Sequence, residues 1–263
     1  MKIWLNGSVV QAAVTGISPQ DRGFTLGDGL FETMKVVQGH IMRLEGHLAR
    51  LEEGARVLRM PLPWSRDALE AAIRAVIEAN ALTDAVARLT VTRGTGPRGI
   101  LPPTDPHLTL LVSAAPQPGP LPPARLCVAQ TTRRNEHSPL ARIKSLNYLD
   151  NIIARQEAAE RGYDDALLLN TQGQIAEGTY ANLFAIIDGH LVTPPVSDGA
   201  LPGILRRDVL AAGGREMTLT PEALARAEEA FLTSSLGIRS LQSIEDRPLP
   251  SCTMAERLKE ALR

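Results

Sequence analysis

RIKSLNYLDN, residues 142–151, is the stretch on which the reading of the chain turns. Of the 28 cationic residues only Lys2, Lys35, Lys144 and Lys259 are lysines, and the rest are arginines. An arginine cannot lose its proton in a protein, whereas a lysine can when it is desolvated or set beside other cations. Lys144 follows Arg142 by two residues and lies between the apolar Ile143 and Leu146, just ahead of an amphipathic run. These conditions favour a neutral amine able to form a Schiff base. Position alone also allows a surface cation at a helix start.

The prolines of SAAPQPGPLPPA, residues 113–124, rule out a continuing helix or central strand there. The segment is therefore read as a linker between an N-terminal α+β domain, 1–112, and a C-terminal domain, 125–263. In the first part, Asn6-Gly7 and Gln38-Gly39 predict hairpin turns. Leu48, Leu51, Ala55 and Leu58 share one face of a helix over about 46–59, and Ser65 is an N-cap candidate for a helix over about 65–80. AVARLTVTRG and HLTLLVSAA read as strands. In the second part, ARLCVAQTT, DALLLNTQG, REMTLT and EAFLTSS read as strands, and NLFAIIDGHLVTPP as a strand pair turned at Asp188-Gly189. Helices are expected near 147–161, 203–213, 221–227 and 253–262.

Composition narrows the function. The formal net charge is -1, and no Lys/Arg run suggests a nucleic-acid partner. Cys127 and Cys252 are far apart, with neither metal-ligand nor disulfide-framework spacing. No metal is expected. The start, MKIWLNGSVV, does not read as a signal peptide, and no apolar run is long enough to span a membrane, so the expected compartment is the cytoplasm.

Other residues add chemistry to Lys144. Glu177, in IAEGTYANLF, could pair with a cation or a pyridinium nitrogen, or be an ordinary loop carboxylate. LPGILRRDVL places Gly203 directly before a helix, where free N–H groups make an anion site. LTSSLGIRS sets Ser234 and Ser235 ahead of Gly237 at a strand-to-loop junction. Arg50 stands three residues after His47 on a helix that could equally be a solvated face. Phe31 and Thr33 alternate with Leu30 and Glu32, so the first two share a strand face. Together these call for an aldehyde cofactor carrying a phosphate and a ring nitrogen.

The set RGFTLGDGLFETMKV, HLARL, IKSLNYL, AEGTYANLF and LPGILRRD, in that order, resembles the class IV aminotransferases, the fold-type IV pyridoxal-phosphate enzymes. The resemblance runs from about residue 3 to 245. It implies a two-domain α+β fold, with a smaller N-terminal domain and a larger, β-barrel-like C-terminal domain with helices. It implies pyridoxal 5'-phosphate on Lys144, with Glu177 facing the pyridine nitrogen and keeping it protonated. Arg50, the backbone N–H groups of Ile204 and Leu205, and Ser234 with Ser235 would hold the phosphate, and Tyr148 would reach the phenolic oxygen. Phe31, Thr33, Arg98, Leu236 and Gly237 would contact substrate. Many transaminases of the family carry Thr where Leu205 stands. The resemblance also implies a homodimer acting on a small amino substrate.

Three reactions share this scaffold: 4-amino-4-deoxychorismate lyase chemistry, and transamination of D-amino acids or of branched-chain L-amino acids. TRGTGPRGI, residues 92–100, and RRNEHSPLARIKSLNYLDN, residues 133–151, lean toward the lyase of folate biosynthesis. DRGFTLGDGLFE and KSLN are shared with D-amino-acid transaminases. Arg98 falls where those enzymes bind a carboxylate, but Ile100 replaces their partner His. D-amino-acid transamination therefore stays as the alternative, with branched-chain or R-amine transamination behind it.

Overall fold

A computed structural model describes residues 1–14 and 16–262. The chain divides into two compact units: Met1–Gly119 with Ile143–Asn147, and Pro120–Arg142 with Tyr148–Arg263. Boundaries at 113–124 assign Lys144 to the C-terminal part, whereas here Ile143–Asn147 groups with the first unit. The change of unit at Gly119–Pro120 falls inside the proline-rich segment, although a strand continues to Pro116 before the chain becomes irregular.

The first unit contains β1 (Lys2–Leu5), β2 (Ser8–Gln11), α1 (Arg22–Leu26), β3 (Gly29–Val37), β4 (His40–Ile41), α2 (Leu44–Val57), α3 (Arg66–Ala79), β5 (Ala85–Thr92) and β6 (Thr109–Pro116). Its sheet runs β2-β1-β6-β5-β3-β4, and each neighbouring pair is antiparallel. Asn6, Gly7, Gln38 and Gly39 all take positive φ, as two-residue hairpin loops demand. Ser65 caps α3 by accepting from the Ala68 N–H at 3.2 Å. Leu69, Ala72, Ile73, Val76 and Ile77 form the buried stripe of α3, the 3.6-residue period at work. Leu30, Met34 and Val36 of β3 pack into the same core as Leu48, Leu51 and Ala55 of α2. Gly54 costs helix propensity in the middle of α2, but a Cβ there would lie 3.0 Å from Leu30 Cδ2, so its absence admits Leu30. Each such buried leucine contributes about 1.5–3 kcal/mol.

The second unit contains β7 (Ala124–Val128), α4 (Leu149–Glu160), β8 (Asp165–Leu169), β9 (Ile175–Gly178), β10 (Asn182–Ile187), β11 (His190–Thr193), α5 (Ile204–Ala211), β12 (Arg215–Glu216), α6 (Pro221–Leu224), β13 (Glu229–Ser234), β14 (Gly237–Ile244), β15 (Arg247–Pro248) and α7 (Thr253–Ala261). Its sheet follows β12-β11-β10-β13-β14-β7-β8-β9, with β15 beside β14. The strand at the far end, β9, returns toward β10, where the Gly178 N–H donates to the Ala181 carbonyl at 2.8 Å. The sheet therefore curls into a half-barrel, and the fold is mixed α+β as expected. Sequence reading misses β14, which pairs with β13 from Ser234↔Gly237 onward. Its Arg and Ser residues hide the alternation that marks a strand. The helix α1 is also unanticipated, since five residues carry too little period to be seen. Among the described residues no helix is long and apolar enough to cross a membrane.

Candidate active site

The lysine is held in place by β3. Lys144 sits in a short segment running antiparallel to that strand: Phe31 N–H donates to the Lys144 carbonyl and Leu146 N–H to the Gly29 carbonyl, both at 3.0 Å. The GDG sequence makes this approach possible. Gly27 ends α1 in the left-handed region at φ 66°, and its carbonyl accepts from Asn147 Nδ2 at 3.1 Å. At Gly29 a Cβ would lie 2.7 Å from Leu146 Cδ1 and 2.6 Å from the Val91 carbonyl oxygen. Two motifs more than a hundred residues apart thus form one local structure.

On the resulting surface, Lys144 Nζ stands 4.3 Å from the centroid of the Phe31 ring. The guanidinium carbon of Arg88 stands 3.7 Å from the same centroid. Arg88 lies directly across β5 from Thr33, so Phe31, Thr33 and Arg88 share a face, as alternation of the strand requires. Sequence reading names Phe31 and Thr33 but misses Arg88. The usable signal was its place among apolar residues in AVARLTVT, where an arginine must point away from the core. Arg98 is exposed in the loop between β5 and β6. That loop is anchored by Arg22, which donates to the carbonyls of Gly99 at 2.9 Å and Ile100 at 2.7 Å. Arg22 in turn pairs with Asp28, which also receives Arg93. Burial opposes the charge of Asp28, yet bonds from Arg93 and Arg22 hold its carboxyl below the usual range.

Arg50 does not face solvent. Its Nε and Nη2 donate to the two oxygens of Glu32, at 2.8 and 2.7 Å. Glu32 Oε2 also meets His47 Nδ1 at 2.6 Å. Burial works against the Glu32 charge, but Arg50 and His47 outweigh it and lower its pKa. The inward face of β3 thus carries a carboxylate that grips Arg50.

In the second unit, Glu177 is a buried carboxylate on β9. Arg134 Nη2 lies 3.1 Å from its Oε1, while Asn182 Nδ2 and the Leu201 N–H donate to Oε2 at 3.2 and 3.0 Å. Three donors thus meet the two carboxylate oxygens. Asn182 also donates to the Leu201 carbonyl at 2.8 Å, and so joins Glu177 to the turn before α5. A Cβ on Gly203 would fall 2.0 Å from Asn182 Oδ1, which explains the glycine. Gly203 is the N-cap of α5 and provides no side-chain cap, so the first N–H groups of the helix, at Ile204 and Leu205, look for another partner. The Leu205 side chain itself is buried, so its apolar character serves packing. Asn182 faces Thr233 across β10 and β13. Beyond Thr233 is the Ser234–Gly237 turn, where the Leu236 N–H donates to Ser234 Oγ at 3.3 Å and Gly237 takes φ 138°. The second unit therefore gathers Glu177, the start of α5 and the serine turn around Asn182. Tyr148 occupies the N-cap position of α4, half-buried. Arg134 and Asn182 brace this carboxylate through contacts that only the fold creates.

The donor set fits pyridoxal phosphate. In the first unit Lys144 offers an amine for an aldehyde and Arg50 a fork of donors for an anion; in the second, Glu177 offers an anion for a ring nitrogen and the start of α5 offers N–H donors for a phosphate.

Fold and donor set together define a pyridoxal-phosphate enzyme of the fold-type IV kind. The chain belongs to the family described as amino-transferase class IV, whose model matches residues 29–244. It is 30% identical over 264 residues to the branched-chain-amino-acid aminotransferase of Escherichia coli, covering 92% of this chain and 85% of that one. It is 28% identical over 247 residues to the D-alanine aminotransferase of Bacillus licheniformis, covering 89% and 85%. The crystal structure of 4-amino-4-deoxychorismate lyase from Pseudomonas aeruginosa superposes with a TM-score of 0.86 at 33% identity, covering 99% of this chain and 98% of the other. Members of this family work with pyridoxal phosphate, and so does this protein.

Proposed function

We propose that the protein is a 4-amino-4-deoxychorismate lyase, a homodimer of the cytoplasm that serves folate biosynthesis. The observation that carries an amino-acid-like substrate is the pair of cations on one aromatic ring, Lys144 at 4.3 Å and Arg88 at 3.7 Å. A substrate amine would go to the lysine's position, and a carboxylate suits the planar fork of Arg88. Lyase chemistry is favoured over transamination by the TRGTGPRGI and RRNEHSPLARIKSLNYLDN stretches. Near-complete coverage of the Pseudomonas lyase, 98% of its length at 33% identity, points the same way.

When bound, the cofactor supplies an electron-poor ring that delocalises charge from the carbon bearing the substrate amine. Lys144 Nζ takes the proton from that carbon as general base. The neighbouring ether C–O bond breaks, and the enolpyruvyl group leaves and gains a proton to become pyruvate. The six-membered ring becomes aromatic p-aminobenzoate, so no second substrate is consumed. Glu177, bonded by Arg134, Asn182 and the Leu201 N–H, would face the ring nitrogen and favour a positive charge there. As the family resemblance implies, Arg50, Ile204, Leu205, Ser234 and Ser235 would hold the phosphate. Tyr148 would reach the cofactor, while Thr33, Arg98, Leu236 and Gly237 would contact the substrate.

Association is supported by apolar side chains left in solvent. Phe24, Ile100 and Leu101 of the first unit are exposed, and so are Leu149, Ile152 and Ile153 on one face of α4 in the second. Where such groups cluster, as on this face of α4, they suit a protein–protein contact.

Transamination is the second reading, supported by the 30% identity to the Escherichia coli enzyme. Mixing the protein with aminodeoxychorismate should release p-aminobenzoate, followed by its fluorescence, and an equal amount of pyruvate. D-Alanine with a 2-oxo acid, tested in parallel, should give negligible turnover. Rapid transamination with no p-aminobenzoate would reject the lyase.

A further inference from the structure

Glu32 is among the most deeply buried charged groups of the first unit, with a side chain 1% exposed, like that of His47. Its side-chain hydrogen bonds go to Arg50 and His47. Oε1 accepts from Arg50 Nε at 2.8 Å, and Oε2 accepts from Arg50 Nη2 at 2.7 Å and from His47 Nδ1 at 2.6 Å. A carboxylate can only accept, so His47 carries its proton on Nδ1. His47 and Arg50 are one turn apart on α2, and Glu32 reaches them from β3. The histidine stops the carboxylate from rotating. The carboxylate then grips the guanidinium at two points along its Nε–Nη2 edge. An anion arriving at Arg50 would meet a guanidinium whose orientation is already set.

A buried ion pair is a poor source of stability, because desolvation cancels much of the attraction. What this geometry does supply is a fixed direction for a long, flexible side chain. An arginine already ordered loses less freedom when its ligand binds. We propose that Glu32 is a positioning residue for the cofactor phosphate: acting through Arg50, with His47 fixing the carboxylate, it sets the guanidinium that meets the phosphate. This rests on the reading of Arg50 as a phosphate ligand.

The test compares pyridoxal phosphate with pyridoxal, which lacks the phosphate, as ligands of the full-length apoprotein. Dissociation constants are read from the cofactor's visible absorbance. The ratio of the two constants isolates what the phosphate contributes. In Glu32→Gln one carboxylate oxygen becomes an amide that cannot accept. The ratio should fall at least tenfold, with pyridoxal affinity within twofold of wild type. Arg50→Ala should lower the ratio further, and the double variant no further than Arg50→Ala. If pyridoxal and pyridoxal phosphate weaken in step in Glu32→Gln, or the ratio stays within twofold of wild type, the positioning role is overturned. If Arg50→Ala itself leaves the ratio unchanged, the phosphate assignment has failed instead. Should Glu32→Gln not fold, Glu32→Asp keeps the charge but withdraws it by one methylene. Its ratio should lie between wild type and Arg50→Ala, and a wild-type ratio there also overturns the proposal.

Discussion

Replacing Gly29 by alanine tests how the lysine is seated. The new Cβ would lie 2.6 Å from the Val91 carbonyl oxygen, 2.7 Å from Leu146 Cδ1 and 3.1 Å from Thr92 Cα. Leu146 can turn aside, but the other two atoms are backbone of β5, fixed by the pairing Gly29↔Thr92. The start of β3 must therefore retreat. That retreat stretches the 3.0 Å bonds from Leu146 N–H to Gly29 and from Phe31 N–H to Lys144. Overpacking of this kind costs about 1–3 kcal/mol, and loss of one such bond adds about 1 kcal/mol. A total of about 2–4 kcal/mol, at roughly 2–3 °C per kcal/mol, lowers Tm by roughly 4–12 °C. Displacing the amine by even part of an ångström should also cost turnover, on the order of a hundredfold for a full ångström. Thermal unfolding and steady-state kinetics of Gly29→Ala measure both. Gly119→Ala is the control, because nothing lies within 4 Å of its added Cβ. If Gly29→Ala melts with wild type and retains full turnover, the account of how β3 holds Lys144 is wrong.

Other substitutions probe the remaining groups. Lys144→Ala should abolish turnover, and borohydride should no longer fix the cofactor to the chain, as intact-mass spectrometry would show. Arg88→Gln should raise KM for carboxylate substrates roughly tenfold or more, the worth of a charged hydrogen bond of about 1.5–3 kcal/mol, without weakening cofactor binding. Glu177→Gln keeps the shape and removes the charge, so kcat should fall by about 10²–10³-fold, with far-UV circular dichroism unchanged. Glu136 titrates at about 2: burial opposes its charge, but the hydroxyl and N–H of Thr171, with the Gln172 amide, outweigh it. Its folded pKa is depressed below the ordinary value of 4.5, so its stabilisation is complete above that pH and is lost as pH falls toward 2. Urea unfolding across that window should find Glu136→Gln less stable than wild type at neutral pH, with the gap closing on acidification.

Much of this protein is readable in one dimension. Turns at Asn6-Gly7 and Asp188-Gly189 follow from residues that tolerate positive φ. The Ser65 cap and the stripe from Leu69 to Ile77 follow from helical geometry, and the lone lysine of RIKSLNYLDN from the chemistry of amine against guanidinium. These features depend on residues within a few positions of one another, so the sequence alone determines them. The segment Ile143–Asn147 joining the first unit, the Arg88–Phe31–Lys144 cluster, the grip of Glu32 on Arg50 and the bracing of Glu177 by Arg134 belong to the tertiary structure. Each joins residues separated by 18 positions or more in the chain. Their meeting depends on strand register and on which face a helix buries, and those are settled only when the whole core packs.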